Sequence, residues 1–180
     1  TTLFRSCGSR VLELGCGFGR IAMGCVNNEI DYHGIDVSVE RIRYARALLG
    51  DDDNLLHLYL FPTRNSRYNK NGTKQPQDAT LGPDKHYDAA IAVSVMTHIG
   101  GKKNARHYLQ EFRRVLKPGG KLFCTWYTSP PVDEPNYNAH RTTFLKDDVF
   151  SMLEEADFEC VELSGEGVGK PETQLLTICE

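Results

Sequence analysis

Three glycines alternate in the run Glu13-Leu14-Gly15-Cys16-Gly17-Phe18-Gly19-Arg20, and a carboxylate, Asp36, follows one strand-and-turn unit later. Glycines at this spacing let a backbone turn sharply and approach a ligand closely. A helix opening just beyond them offers unsatisfied N–H groups to an anionic group. An acid closing the next strand can accept both hydroxyl hydrogens of a ribose. The combination points to binding of a nucleoside-containing cofactor. Farther along, Ser94 and His98 follow an apolar run. An imidazole with an ordinary pKa near ~6.5 can take a proton at neutral pH.

A dinucleotide site needs the same parts. The G-x-G-x-x-G pattern fails from Gly15, because Arg20 holds its last position. From Gly17 a G-x-G-x-x-A pattern runs to Ala22, and alone it is weak. A nicotinamide-dependent dehydrogenase therefore stays as an alternative, as does a noncatalytic module that keeps a cofactor fold for interaction.

These residues need elements to hold them in place. Arg10–Leu14 is short and apolar and reads as a buried strand, with a helix starting over Ile21–Val26. Tyr32–Ile35 is a second strand ending at Asp36, and Ser38 is a suitable N-cap for a helix over Val39–Leu49, which Gly50 ends. Leu55–Phe61 is a third strand and Tyr87–Val93 a fourth. Tyr108, Leu109, Phe112, Val115 and Leu116 fall on one face of a helix over Lys102–Leu116. Pro118-Gly119-Gly120 forms a turn into a fifth strand, Lys121–Tyr127. A helix over Phe144–Ala156 and strands Cys160–Leu163 and Gln174–Cys179 complete the chain. Two irregular stretches interrupt the alternation, Pro62 to Lys85 and Thr128–His140. Long loops in compact domains are often functional.

Strands alternating with helices imply a parallel sheet covered on both faces. In such a sheet a ligand binds beyond the carboxyl ends of the strands. The 180 residues suit one domain, and a core of that size needs no staples. The net charge of -3 gives no general attraction to nucleic acid or anionic lipid. No apolar run approaches the ~20 residues of a membrane span. Cys7, Cys16, Cys25, Cys124, Cys160 and Cys179 form no C-x-x-C pair and lie beside no His at metal-ligand spacing, so they read as small buried residues in a reducing, cytoplasmic setting, with no metal site expected.

The motifs resemble a known family. Val11-Leu12-Glu13-Leu14-Gly15-Cys16-Gly17-Phe18-Gly19-Arg20 is similar to the first motif of class I S-adenosylmethionine-dependent methyltransferases, and His33-Gly34-Ile35-Asp36-Val37-Ser38 to the second. Ala92-Val93-Ser94-Val95-Met96-Thr97-His98 resembles the segment after the fourth strand. Arg113-Arg114-Val115-Leu116-Lys117-Pro118-Gly119-Gly120-Lys121-Leu122 resembles the entry to the fifth, and Glu154-Glu155-Ala156-Asp157-Phe158 the turn before the sixth. The resemblance spans nearly the whole chain in the family's order.

It implies an α/β, Rossmann-like, doubly wound sheet of seven strands in the order 3-2-1-4-5-7-6, mostly parallel with an antiparallel last strand. It implies S-adenosylmethionine as cofactor, bound by Glu13, Gly15, Cys16, Gly17, Gly19, Asp36, Val37, Thr63 and Ser94. Glu13 would complement the ammonium or a neighbouring water, Asp36 would hold the ribose and Val37 would pack on adenine. The pattern departs in one place that matters: no acid follows the third strand, where Pro62 or Thr63 stands, so adenine recognition shifts to backbone, Thr63 or Asn65.

Methyl transfer is an in-line displacement to which positioning contributes most, about 7–11 kcal/mol. His98 is the candidate base; a structural histidine at the start of the next helix is the plainer reading of the same residue. His140, Tyr127 and Tyr137 are candidates to line an acceptor pocket. Arg64, Arg67, Lys70 and Lys74 read first as a solvated face. The expected acceptor is a small molecule. The start at Thr1, about ten residues before the first strand, suggests a domain over 1–180 without an N-terminal cap. Pro62–Lys85 and Thr128–His140 are then the walls left for a substrate.

Overall fold

The computed structural model describes residues 8–50, 54–128, 137–138, 141–164 and 173–180. The strands are β1 (Arg10–Leu14), β2 (Asp31–Asp36), β3 (Leu56–Leu60), β4 (Tyr87–Ala92), β5 (Leu116–Thr128), β6 (Tyr137–Asn138), β7 (Arg141–Thr142), β8 (Cys160–Ser164) and β9 (Thr173–Cys179). The helices are α1 (Arg20–Val26), α2 (Val39–Leu49), α3 (Lys102–Val115) and α4 (Lys146–Glu155). A seven-stranded sheet runs β3-β2-β1-β4-β5-β9-β8. Its first five strands pair in parallel, and β9 pairs antiparallel with β5 and with β8. This is the doubly wound order expected. The chain adds a small antiparallel pair, β6 with β7.

Local chemistry explains most boundaries. Ser38 caps α2, its Oγ accepting the Arg41 N–H at 3.4 Å, and Gly50 ends the helix at φ 79°. α3 buries Ala105, Tyr108, Leu109, Phe112 and Val115, a stripe at helical spacing that packs into one of two core clusters. The second cluster lies on the other face and takes Ala22 and Cys25 of α1 with Ile42 and Ala45 of α2. Trp126 is fully buried on β5, with its Nε1–H donating to Thr177 Oγ1 of β9 at 3.2 Å and its ring edge-on to Phe144.

Two expectations change. Leu116 is not the last residue of α3 but the first of β5, where it pairs with Tyr87; regular pairing resumes only at Lys121 with Ala89. Pro118 disfavours helical backbone at Lys117, so the helix stops before it. The cysteines are also not all reduced: Cys160 and Cys179 face each other across β8 and β9 and form a disulfide, while Cys16, Cys25 and Cys124 are buried free thiols. Most of Thr128–His140, with His140 and the side chain of Tyr137, lies outside the described residues.

No helix of the described residues is long and apolar enough to cross a membrane.

Candidate functional site

The parallel strands end on one side of the sheet, and their carboxyl ends open into a cavity of about 480 Å3. β1 supplies Leu14 and Gly15, β2 supplies Asp36 and Val37, and the end of β4 supplies Val93, Ser94 and Val95. Thr63, Arg64, Asn65 and Tyr68 come from the long loop after β3. His98 comes from a 3-10 turn over Met96–His98, and Asn104 and Tyr108 from α3. A space of this size suits a small organic ligand.

Asp36 is the most constrained group at the mouth of the strands. Its carboxylate is almost fully buried, at 4% exposure. Oδ2 accepts the Gly17 N–H at 2.9 Å and Oδ1 accepts the Ser38 N–H at 2.8 Å. The Asp36 carbonyl accepts the Phe61 N–H at 2.8 Å, tying β2 to the start of the loop. A carboxylate has about four acceptor positions, so each oxygen keeps one beyond its backbone partner. Two remaining acceptors on a fixed carboxylate match a vicinal diol.

The glycine run builds the adjoining floor. The N–H groups of Gly15 and Cys16 both donate to the Ile35 carbonyl, at 2.7 and 3.1 Å. Gly15 sits at φ 76°, and a Cβ there would lie 2.3 Å from Val95 Cγ2. The cavity thus has a stretch of bare backbone that no side chain could share. Gly19 opens α1 from the left-handed region at φ 82°, and its N–H donates to the Cys16 carbonyl at 3.0 Å. Ser94, a non-glycine residue, is held at φ 57°, with its N–H donating to Thr125 Oγ1 at 2.7 Å. Such conformations persist where the surroundings impose them, often at ligand sites.

The long loop forms the opposite wall. Arg64 N–H donates to the Lys74 carbonyl at 2.7 Å, and the Asn65 and Asn69 backbones exchange hydrogen bonds at 2.8 and 3.0 Å. Asn65 Nδ2 donates to the His98 carbonyl at 3.0 Å, fastening this wall to the turn that carries the imidazole. The His98 ring meets Tyr68 edge-on at 5.3 Å. Arg41 of α2 lies over the Tyr68 ring at 4.2 Å and near Phe18 at 5.5 Å.

Of the residues read from sequence, Gly15, Asp36, Val37, Thr63, Ser94 and His98 meet at this one cavity. Gly17 acts one step back through its N–H to Asp36, and Gly19 and Cys16 shape the turn. Cys16 is buried, which pushes its thiol far above the ordinary range. Glu13 does not line the cavity: its carboxylate accepts a hydrogen bond from the Tyr32 hydroxyl within the core. Arg41, Tyr68, Asn104 and Tyr108 are additions that sequence reasoning missed. They arrive from α2, the loop and α3, and no local motif marks them.

Burial raises the Glu13 carboxyl from 4.5 to about 7, against the opposing hydrogen bond from Tyr32. Folded protein therefore keeps a proton that the unfolded chain has lost between those values. Stability from this group falls as pH rises from about 4.5 to about 7, then levels off. The partly buried His33, lowered to about 4 by desolvation, gives the opposite slope over part of that range. The comparison of wild type with Glu13→Gln isolates the acid. Chemical denaturation should show the variant gaining about 3 kcal/mol relative to wild type between about pH 5 and about pH 8.

A family model described as "Methyltransferase domain" matches residues 12–122, from the middle of β1 into β5. That span includes every cavity-lining residue described above. The chain belongs to the class I S-adenosylmethionine-dependent methyltransferase family. Its cofactor is S-adenosylmethionine. An O-methyltransferase, resE, of Aspergillus sclerotiorum is 30% identical over 122 residues, covering 67% of this chain and 40% of that protein. The probable tRNA methyltransferase 9B of Homo sapiens is 29% identical over 120 residues, covering 64% of this chain and 20% of that protein. The matched stretch thus covers less than half the length of both relatives. A solved S-adenosylmethionine-dependent methyltransferase from Methanosarcina mazei shares the fold, with a TM-score of 0.70 at 16% identity, covering 98% of this chain and 92% of that one.

The residues present fit the cofactor. Among the described residues no lysine lines the cavity to clamp a phosphate, and S-adenosylmethionine has no phosphate. The cavity offers a fixed carboxylate for the ribose, an apolar contact in Val37, and bare backbone at Gly15 for the amino-acid end.

Proposed function

We propose that residues 1–180 form a single catalytic domain that transfers a methyl group to a small-molecule acceptor. When bound, S-adenosylmethionine supplies a methyl group made electrophilic by its sulfonium. Asp36 would accept from both ribose hydroxyls through the two positions its backbone partners leave. Gly15 would let the amino-acid end lie against backbone, and Ser94 would line the methionine portion. Thr63 and Asn65 replace the missing acid after β3 as polar groups near the adenine. The loop wall from Thr63 to Pro76 would exclude water from the reacting centre.

His98 would accept the proton from the acceptor heteroatom as that atom attacks. Its attachment to Asn65 and its edge contact with Tyr68 would hold the turn and ring in one orientation. Arg41 and Arg64 also line the cavity, which favours an acceptor carrying an acidic group, such as a phenol or carboxylic acid. The observation that carries this reading is the buried Asp36 carboxylate, held by two backbone N–H groups at the edge of a ligand-sized cavity.

The test is transfer of labelled methyl from S-adenosylmethionine to a panel of phenols, carboxylic acids, amines and short RNAs. Label should appear on a phenol or an acid, with kcat reduced about 100-fold or more in His98→Gln and cofactor affinity little changed. An unchanged kcat in His98→Gln would remove the base. Labelling of RNA alone, with the steep salt dependence of phosphate contacts, would overturn the small-molecule acceptor.

A further inference from the structure

The amino ends of the strands, on the far side of the sheet from the cavity, carry a second group of polar side chains. Asp31 and His33 are two apart on β2 and so share a face, and His33 pairs in register with His57 of β3. Arg10 of β1 pairs in register with Asp31. α1 and α2 pack on the opposite face, and the connection from β3 to β4 contributes only a 3-10 turn over Pro76–Asp78. The histidine patch is consequently open at its rim, where Tyr59 is about half exposed.

Within the patch three donor atoms converge. Asp31 Oδ1 lies 3.0 Å from His33 Nε2 and 3.3 Å from His57 Nε2. All three lie within 4.8 Å of one another. The Asp31 Oδ1 and His33 Nε2 atoms are buried, and neither makes a well-directed hydrogen bond. Two lone-pair-bearing atoms brought together without a hydrogen bond are poorly satisfied by protein alone. Ligands at ~2.0–2.1 Å from one tetrahedral zinc ion stand about 3.3 Å apart, close to the two separations seen.

The other contacts orient the ligands. Arg10 Nε donates to Asp31 Oδ2 at 2.7 Å and leaves Oδ1 turned toward the imidazoles. An outer hydrogen bond of this kind fixes the direction of a metal-binding carboxylate. The Arg10 charge also opposes a cation, which limits affinity.

We propose that Asp31, His33 and His57 form a binding site for a divalent transition-metal ion. Two imidazoles and one carboxylate favour zinc, cobalt, nickel or copper over magnesium or calcium. The fourth position opens to solvent beside His57, which is 28% exposed. The ion would tie β2 to β3 at the sheet edge, remote from the cavity and independent of the reaction there.

The experiment uses the full chain without an affinity tag, stripped with chelator and titrated with cobalt(II) by visible absorption, then with zinc(II) in competition. One equivalent should bind and raise Tm, while magnesium should not. His57→Ala and His33→Asn should each weaken binding about tenfold or more and remove the Tm rise. His107→Ala, on α3 with its Nε2 near the Ala79 carbonyl, should bind as wild type does. His57 is partly exposed, so its replacement tests the ligand without emptying the core. Failure of wild type to bind one equivalent, or binding that survives in both His57→Ala and His33→Asn, would overturn the site.

Discussion

Asp36→Ala should weaken S-adenosylmethionine binding by about 100-fold or more. Hydrogen bonds to a charged acceptor contribute about 1.5–3 kcal/mol each, and two ribose hydroxyls would lose theirs together. A loss of about 2.8 kcal/mol is already 100-fold in Kd. The variant also leaves the Gly17 and Ser38 N–H groups without their carboxylate partner. Part of the loss could then come from a disordered glycine loop. Asp36→Asn separates the two causes. Its amide keeps one oxygen to accept a backbone N–H, but it is neutral and can no longer accept at both atoms. Calorimetry should find Asp36→Asn folded, with Tm lowered less than in Asp36→Ala because one of the two backbone N–H groups keeps its acceptor, yet at least about tenfold weaker for the cofactor. Wild-type affinity in both variants would remove Asp36 from the site.

Gly15→Ala should be the most damaging single methyl addition in the chain's first motif. Alanine at φ 76° carries the left-handed penalty of about 1–2 kcal/mol. Its Cβ would also sit 2.3 Å from Val95 Cγ2, a contact that requires one of two tied strand ends to move. Overpacking of this kind costs about 1–3 kcal/mol. The expected loss is therefore about 2–5 kcal/mol of stability, with cofactor affinity falling as the β1 and β4 ends separate. Gly17→Ala is the internal control. It too has a positive φ, at 56°, but nothing lies closer to its Cβ than the Gly15 carbonyl oxygen at 4.0 Å. It should show the backbone penalty alone. Pairing Gly15→Ala with Val95→Ala should recover the steric part of the loss and leave the conformational part. Equal losses in the Gly15 and Gly17 variants by chemical denaturation would show that the Val95 contact is unimportant.

Features written in local chemistry were readable before any coordinates. β1, α2 and the Ser38 cap follow from short apolar runs, a capping side chain and a terminal glycine. The glycine run and Asp36 were legible as parts of one site because nucleoside binding needs both. Long-range partners were not legible. Glu13 reads like a cavity acid, but Tyr32 on the neighbouring strand takes its carboxylate into the core. Arg41 and Tyr68 belong to different elements and meet only when α2 and the loop fold over the strand ends. The Cys160–Cys179 pairing depends on the register of two antiparallel strands, which composition does not specify. The same holds for Asp31, His33 and His57. Their spacing along the chain matches no local metal motif, and the sheet register alone brings them together.

The long loop after β3 shows both sides of this limit. Its Asn, Gly and Pro content marks an irregular segment, and its length marks a functional one. The contacts that make it a wall, Arg64 to Lys74 and Asn65 to the His98 carbonyl, join residues with no periodic relation. In the proposed cofactor pose, adenine recognition would rest on these loop groups rather than on an acid at the end of β3.

The most direct test of the cofactor site is a crystal structure of this chain with S-adenosylhomocysteine. The ribose hydroxyls should lie within hydrogen-bond distance of both Asp36 oxygens, with the amino-acid end against Gly15 and the adenine beside Val37. An adenosyl group seated elsewhere, or a cavity left empty at saturating ligand, would contradict the account.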